Sequence, residues 1–238
     1  MCGYPFLSLI DKLSGTFASL VRISLQEENM SALRVATIAG WLIAGAAASN
    51  IQERLTVVIF DYAGVSRKVL LSAANEGRHA FGSAGVETEW ILCDPVAGCS
   101  VPERFVQVKI LSRPLEATPV SPQGLASTRT CTATEHCAAS YIFFDRVAAF
   151  ADDVHSPTDL TLAYVMVHEI GHLMGLGHRP GGIMTASFSS HDLRNAAVGW
   201  LCFAKDDARE LRSAVRSQMA NLPARHIKVP GWRGEVSE

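Results

Sequence analysis

The apolar positions of this chain change period as one moves along it. Leu55 to Tyr62 (LTVVIFDY) is a dense run of β-branched and aromatic residues and predicts a buried strand. Ala63-Gly64 turns the chain. From Val65 to Phe81 the apolar residues Val69, Leu70, Ala73, Ala74, Ala80 and Phe81 recur at helical spacing, as in a helix packed on a sheet, and Gly82 and Gly85 close it. Val86, Thr88 and Trp90 then alternate with Glu87 and Glu89, which predicts a second strand up to Cys93. Phe105 to Leu111 predicts a third, with Gln107 and Lys109 on its wet face. Tyr141 to Val147 (YIFFDRV) reads as a fourth. Between the last two, Ser112 to Ser140 has no period and is rich in Ser, Thr, Pro and Gly; it is either a loop that shapes access to a cleft or a plain solvent loop. Strand–helix–strand–strand suits an α/β sheet with a helix across it.

Asp152 to Pro157 reads as a turn, with Ser156 as helix cap and Pro157 at the first helical position. The helix that follows is apolar on nearly all sides through Leu160, Leu162, Ala163, Val165, Met166 and Val167, so it belongs at the centre of the fold. Beyond it, residues 191–199 predict a short helix opened by His191-Asp192. Lys205 to Met219 predicts a longer one. Asp206 and Asp207 lie in its first turn, Arg212 and Arg216 further on, in the sense that the helix dipole favours, and Leu211, Val215 and Met219 form its apolar stripe. Residues 221–238 read as a flexible tail.

Composition narrows the picture. Of 238 residues, 48% are hydrophobic and 18% charged, which fits a globular core and excludes a disordered chain. The net charge of −2 and the lack of any dense basic run give no footing for nucleic acid or an anionic membrane as partner. The segment 30–48 has Arg34, an uncharged run from Val35 to Ala48 and a small-residue end at Ala46-Ala47-Ala48. That is the three-part layout of a signal peptide and predicts a secreted or periplasmic protein. The run is short for a membrane span, which needs about 20 apolar residues. On this reading translation starts at Met30, residues 1–29 are a non-native or disordered extension, and residues 52–220 form the working domain. An uncleaved anchor or a buried helix are the alternatives for 30–48.

Cysteine usage agrees with export. Cys93 and Cys99 are six apart, as are Cys131 and Cys137, so two short-loop disulfides are plausible in an oxidising compartment; a cysteine-based zinc site is the rival reading. Cys2 is lost with the leader, and Cys202 is then left over as a small buried hydrophobe.

The chemistry concentrates in HEIGHLMGLGH, His168 to His178. His168 and His172, four apart on a helix, share one face at a distance that lets both imidazoles grip one metal at about 2.0–2.1 Å. A third ligand cannot come from the same straight helix. Gly175 stands where the helix must end and reverse, since glycine accepts positive φ at little cost, and His178 then approaches from the other side. Three neutral ligands leave a position for water, the arrangement of a catalytic zinc. Glu169, unligated beside it, is placed to move a proton from that water to a leaving amine. With 8 histidines and 18 glycines among 238 residues, chance sets both Gly175 and His178 at these offsets about once in 400. The plain alternative is a core helix with satisfied histidines, which rarely carries three imidazoles so close together. Asp153, His155 and His191 are weaker ligand candidates, each with an ordinary reading as a loop or helix-start residue.

His168, Glu169, His172, Gly175, His178 and Met184 resemble the zinc-binding motif and Met-turn of the metzincin metallopeptidases, in particular the small bacterial, matrixin-like ones. The resemblance implies zinc at the three histidines, a general base at Glu169 and a methionine floor at Met184. It also implies a zincin-like α+β or α/β domain. This would hold a small twisted mixed sheet with a backing helix and a central active-site helix, forming an upper part to about residue 175. A small helical lower part, 176–220, would follow, with a cleft between the two. Two departures stand out: only five residues separate His178 from Met184, and Thr185 stands where several of these families carry tyrosine. The expected activity is endoproteolysis of peptide or protein substrates. A zinc-binding interaction module without activity, or a hydrolase of non-protein amides, would use the same motif.

Overall fold

The computed structural model describes residues 54–94, 98–102, 104–114, 124–129 and 139–221. The expected extension 1–29, the expected leader 30–48, the Cys131/Cys137 pair and the tail from 222 lie outside the described residues. The element order is β1 (Arg54–Asp61), α1 (Arg67–Ser83), β2 (Glu87–Cys93), β3 (Val106–Leu111), β4 (Ala126–Arg129), β5 (Ala139–Phe143), α2 (Phe144–Asp153), α3 (Thr158–Leu173), α4 (Ser190–Ala197) and α5 (Lys205–Asn221). The five strands form one mixed sheet in the order β2-β1-β3-β5-β4. β1 pairs in parallel with β2 and β3, β3 in parallel with β5, and β4 runs antiparallel to β5 at the edge.

β1 is buried without a break from Leu55 to Phe60, Thr56 included, because it is covered on both faces. Leu55, Val57 and Ile59 join the main core with Ala73, Phe81, Val106, Val108 and the apolar residues of α3. Val58 and Phe60 point the other way, into a smaller core with Cys93 and Phe105. A disulfide between Cys93 and Cys99 closes the edge of that smaller core. β3 alternates as its sequence requires: Val106, Val108 and Ile110 are buried, while Gln107, Lys109 and Leu111 are half-buried. α1 lays Leu70, Ala73, Ala74, Gly77, Ala80 and Phe81 on the sheet. Of the 16 residues of α3, 13 are buried, so this helix lies between α1, α2 and the sheet and has no solvent face over most of its length.

Five sequence expectations need correction. The run Tyr141 to Val147 is not one strand: β5 ends at Phe143, and Phe144 opens α2. The aromatic cluster reads as strand, but Val147 and Ala151, four apart, are the residues that α2 buries. Asp152 and Asp153 therefore end a helix; the turn proper is Val154 to Ser156, where His155 takes a positive φ of 54°. The aperiodic stretch before β5 contains β4, four residues long and mostly polar, with no alternation by which to detect it. At the start of α3 it is Pro157, not Ser156, that occupies the cap, with ψ of 133°: proline fixes φ but leaves ψ free to stay extended. Lastly, Cys202 is not a spare thiol. It is disulfide-bonded, and since Cys93 and Cys99 pair with each other its partner lies outside the described residues.

The short helix α4 starts at Ser190 rather than 191. Its cap is Ser189, which exchanges hydrogen bonds with Asp192 in a capping box. α5 extends past the expected Met219 to Asn221, and buries Leu211 and Val215. Among the described residues no helix is long and apolar enough to cross a membrane.

Candidate metal centre and active-site cleft

α3 carries His168 and His172 on one face at its C-terminal end. The helix stops at Leu173, and Met174 and Gly175 donate their amides back to Gly171 and His172 carbonyls. Gly175 has φ of 90°, and nothing lies within 4 Å of the place where a Cβ would stand, so the conformation rather than space selects glycine there. The reversal brings His178 back to the helix. One nitrogen from each of His168, His172 and His178 lies within 4.8 Å of the other two, and this is the one such cluster of potential metal ligands among the described residues. Asp153, His155 and His191 are not part of it; His191 bonds Asn195 instead.

The histidines are fixed for ligation by their far nitrogens. His168 Nδ1 donates to the Ile183 carbonyl at 2.8 Å, and His172 Nδ1 donates to the Leu176 carbonyl at 2.7 Å. A carbonyl can only accept, so each Nδ1 carries the proton and each Nε2 keeps a lone pair. His172 Nε2 and His178 Nε2 are 3.1 Å apart. Two nitrogens on one tetrahedral ion at about 2.0–2.1 Å would be about 3.3–3.4 Å apart. Burial pushes the His168 imidazolium down to about 4, with its neighbours His172 and His178 adding to the fall and the Ile183 carbonyl opposing it. His168 is therefore neutral at physiological pH, the state in which imidazole ligates. Donor type and spacing, with the tautomers of His168 and His172 and the neutral state of His168, fit a single divalent ion of the zinc class.

The loop after His178 is tied at several points. Arg179 N donates to Met184 O at 2.8 Å, and Ile183 N donates to Cys202 O at 3.0 Å. Gly182 has φ of 75°, and a Cβ there would stand 2.7 Å from the Cys202 carbonyl oxygen. Met184 is fully buried, with its thioether against Gly171: a Cβ on Gly171 would lie 2.5 Å from Sδ. Arg179 Nε donates to Asp207 Oδ1 at 2.8 Å. Asp207 is completely buried, so the first turn of α5 serves as an anchor for the residue next to His178, beyond its expected dipole role. The anchoring role of Asp207 and the packing role of Gly171 carry no signal that the sequence reading used. Gly171 stands inside the histidine motif, where a glycine in a buried helix could have signalled a close neighbour.

Glu169, next to His168, is 9% exposed and lines the cleft. Burial raises its pKa, opposed by a bond from Thr128 and by the charge of His178. Thr128 Oγ1 donates to Glu169 Oε2 at 2.5 Å. The cleft itself has a volume of about 840 Å³. Its walls are Leu125 and β4 (Thr128), α2 (Phe150), α3 and the stretch from Thr185 to Phe188. Such a volume suits a side chain or short peptide segment beside the three histidines.

Residues 123–212 match the model of the matrixin family, a stretch that begins just before β4 and ends within α5. No curated protein matches the chain. Among solved structures, the chain is similar to the crystal structure of archaemetzincin from Methanopyrus kandleri, with 13% identity and a TM-score of 0.48, covering 69% of this chain and 97% of that one. The matched stretch holds the whole histidine cluster, Glu169 and Met184, and it is to the matrixins that residues 123–212 of this chain are similar.

Proposed function

We propose that the protein is an exported zinc endopeptidase, with residues 52–220 as its catalytic domain, His168, His172 and His178 as zinc ligands, and Glu169 as general base. The observation that carries this reading is the convergence of three imidazoles beside a buried carboxylate in an open cleft. Zinc bound there supplies Lewis acidity, which lowers the pKa of a water and polarises the scissile carbonyl. The chain supplies the rest. His168 and His172 are held by backbone carbonyls, so they need no reorganisation when charge develops nearby. Glu169 takes a proton from the attacking water and returns it to the leaving amine. Its raised proton affinity suits that exchange better than an exposed carboxylate's would. Met184 packs under the helix turn that bears His168 and His172 and keeps Gly171 in place. Peptide bonds in proteins or peptides are the substrate.

Export rests on the 30–48 pattern and is supported by the Cys93–Cys99 disulfide, which belongs in an oxidising compartment. N-terminal sequencing of the exported protein should give a start near Ser49; an intact Met1 would contradict it.

The test of the chemistry is cleavage of casein and of a mixed peptide library by the purified protein. Cleavage should stop with a chelator and return with zinc. Glu169→Ala should keep zinc and lose activity by about two to four orders of magnitude. Native-rate cleavage by that variant would refute the role given to Glu169.

A further inference from the structure

Thr128 stands at a junction of three oxygen atoms. It lies on the short edge strand β4, in register with Ser140 on β5. Its Oγ1 is 2.5 Å from Glu169 Oε2, 3.0 Å from Ser140 Oγ and 3.2 Å from the Glu169 carbonyl oxygen. A hydroxyl has one proton to give and two lone pairs to receive. The ionised carboxylate can only accept, so the Thr128 proton goes to Glu169, at the shortest of the three distances. Ser140 is fully buried, and its hydroxyl then donates to Thr128. The result is a directed chain, Ser140 to Thr128 to Glu169, that begins in the sheet and ends on one oxygen of the carboxylate.

We infer that Thr128 is a positioning residue for Glu169: its hydroxyl, oriented by Ser140, clamps Oε2 and so leaves Oε1 as the oxygen that exchanges protons with the attacking water. The inference rests on the peptidase reading of Glu169. Its physical content is that a carboxylate has a broad, nearly two-fold terminal torsion and does not choose an orientation by itself. One short charge-assisted hydrogen bond from a rigid strand removes that freedom. Among the described residues no other side chain bonds the Glu169 carboxylate. The clamp also joins the cleft wall to the base, because Thr128 and Glu169 both line the cleft.

A positional role separates from a merely structural one by kinetics. The full zinc-loaded chain would be assayed on a fluorogenic peptide, with zinc content and urea midpoint measured alongside. Thr128→Val keeps the shape and removes the hydroxyl. It should lower kcat about 10- to 100-fold, the scale of an ångström-sized misplacement of a catalytic group, with KM and zinc content within about 2-fold. Thr128→Ser restores the hydroxyl and should recover most of kcat. In a Glu169→Ala background Thr128→Val should add nothing, because the group it positions is gone. Thr128→Ala carries the same expectations should the valine variant fail to fold. Full kcat in Thr128→Val or Thr128→Ala, or an equal loss in the Glu169→Ala background, would overturn the inference while leaving the peptidase reading standing. A wild-type chain with no chelator-sensitive cleavage would overturn both.

Discussion

Replacing Gly182 by alanine strikes the structure where two independent constraints meet. The residue has φ of 75°, a conformation that costs an L-residue about 1–2 kcal/mol. The added Cβ would also stand 2.7 Å from the Cys202 carbonyl oxygen, a backbone atom that cannot rotate away. That same oxygen accepts the Ile183 amide at 3.0 Å, so relief of the clash weakens a hydrogen bond worth about 1 kcal/mol. Together these give a loss of about 2–4 kcal/mol. The damage should reach the metal centre, because the Ile183 carbonyl is the acceptor that orients His168. Loss of such an outer partner lowers metal affinity by about 10- to 100-fold. Gly181→Ala is the control: nothing lies within 4 Å of its Cβ position and its φ is ordinary, so its stability should stay within about 0.5 kcal/mol of wild type. Urea unfolding of the metal-free protein reads the first number, and competition with a chromophoric chelator reads the second. If Gly182→Ala unfolds at the Gly181→Ala midpoint and holds zinc as tightly, the account of this turn is wrong.

The metal-free protein should lose stability as pH falls from about 6.5 to about 4. The unfolded chain protonates His168 first, because burial holds the folded imidazole at about 4, so the contribution is complete above 6.5 and gone near 4. The span corresponds to about 3 kcal/mol. Glu169, whose pKa burial raises, acts with the opposite sign, so the loss is read as the difference between wild type and His168→Gln in urea midpoints against pH; equal slopes would rule it out. Gly171→Ala should destabilise by about 1–2 kcal/mol, although glycine to alanine inside a helix normally gains about 1. The reason is the Met184 thioether 2.5 Å from the new Cβ, and the penalty should largely vanish when Met184→Ala is combined with it. A stabilised single variant would refute the contact.

The parts of this fold visible in sequence are those in which one physical demand dominates. β1 is almost wholly apolar from Leu55 to Phe60 because both faces are covered, and β3 alternates because only one is. α3 announces itself through burial, and the histidine spacing through the geometry of a helix turn. What stayed hidden depends on partners distant in sequence. Four polar residues become β4 only because β5 offers an edge to pair with. The change from strand to helix at Phe144 is masked by an aromatic run that suits either state until Val147 and Ala151 find the core. Thr128 meets Glu169 across 41 residues, and Arg179 meets Asp207 across 28, with no local signal for either. Cys202 looked solitary because pairing cannot be read from spacing alone.

The claim under all of this is that three imidazoles share one ion. Metal analysis and X-ray absorption of the purified protein address it directly, with His178→Ala alongside. The expected result is one zinc per chain, with three nitrogen neighbours at about 2.0–2.1 Å, and at least a large loss of affinity in the variant. Zinc bound equally tightly without His178, or a coordination shell built from sulfur, would contradict it.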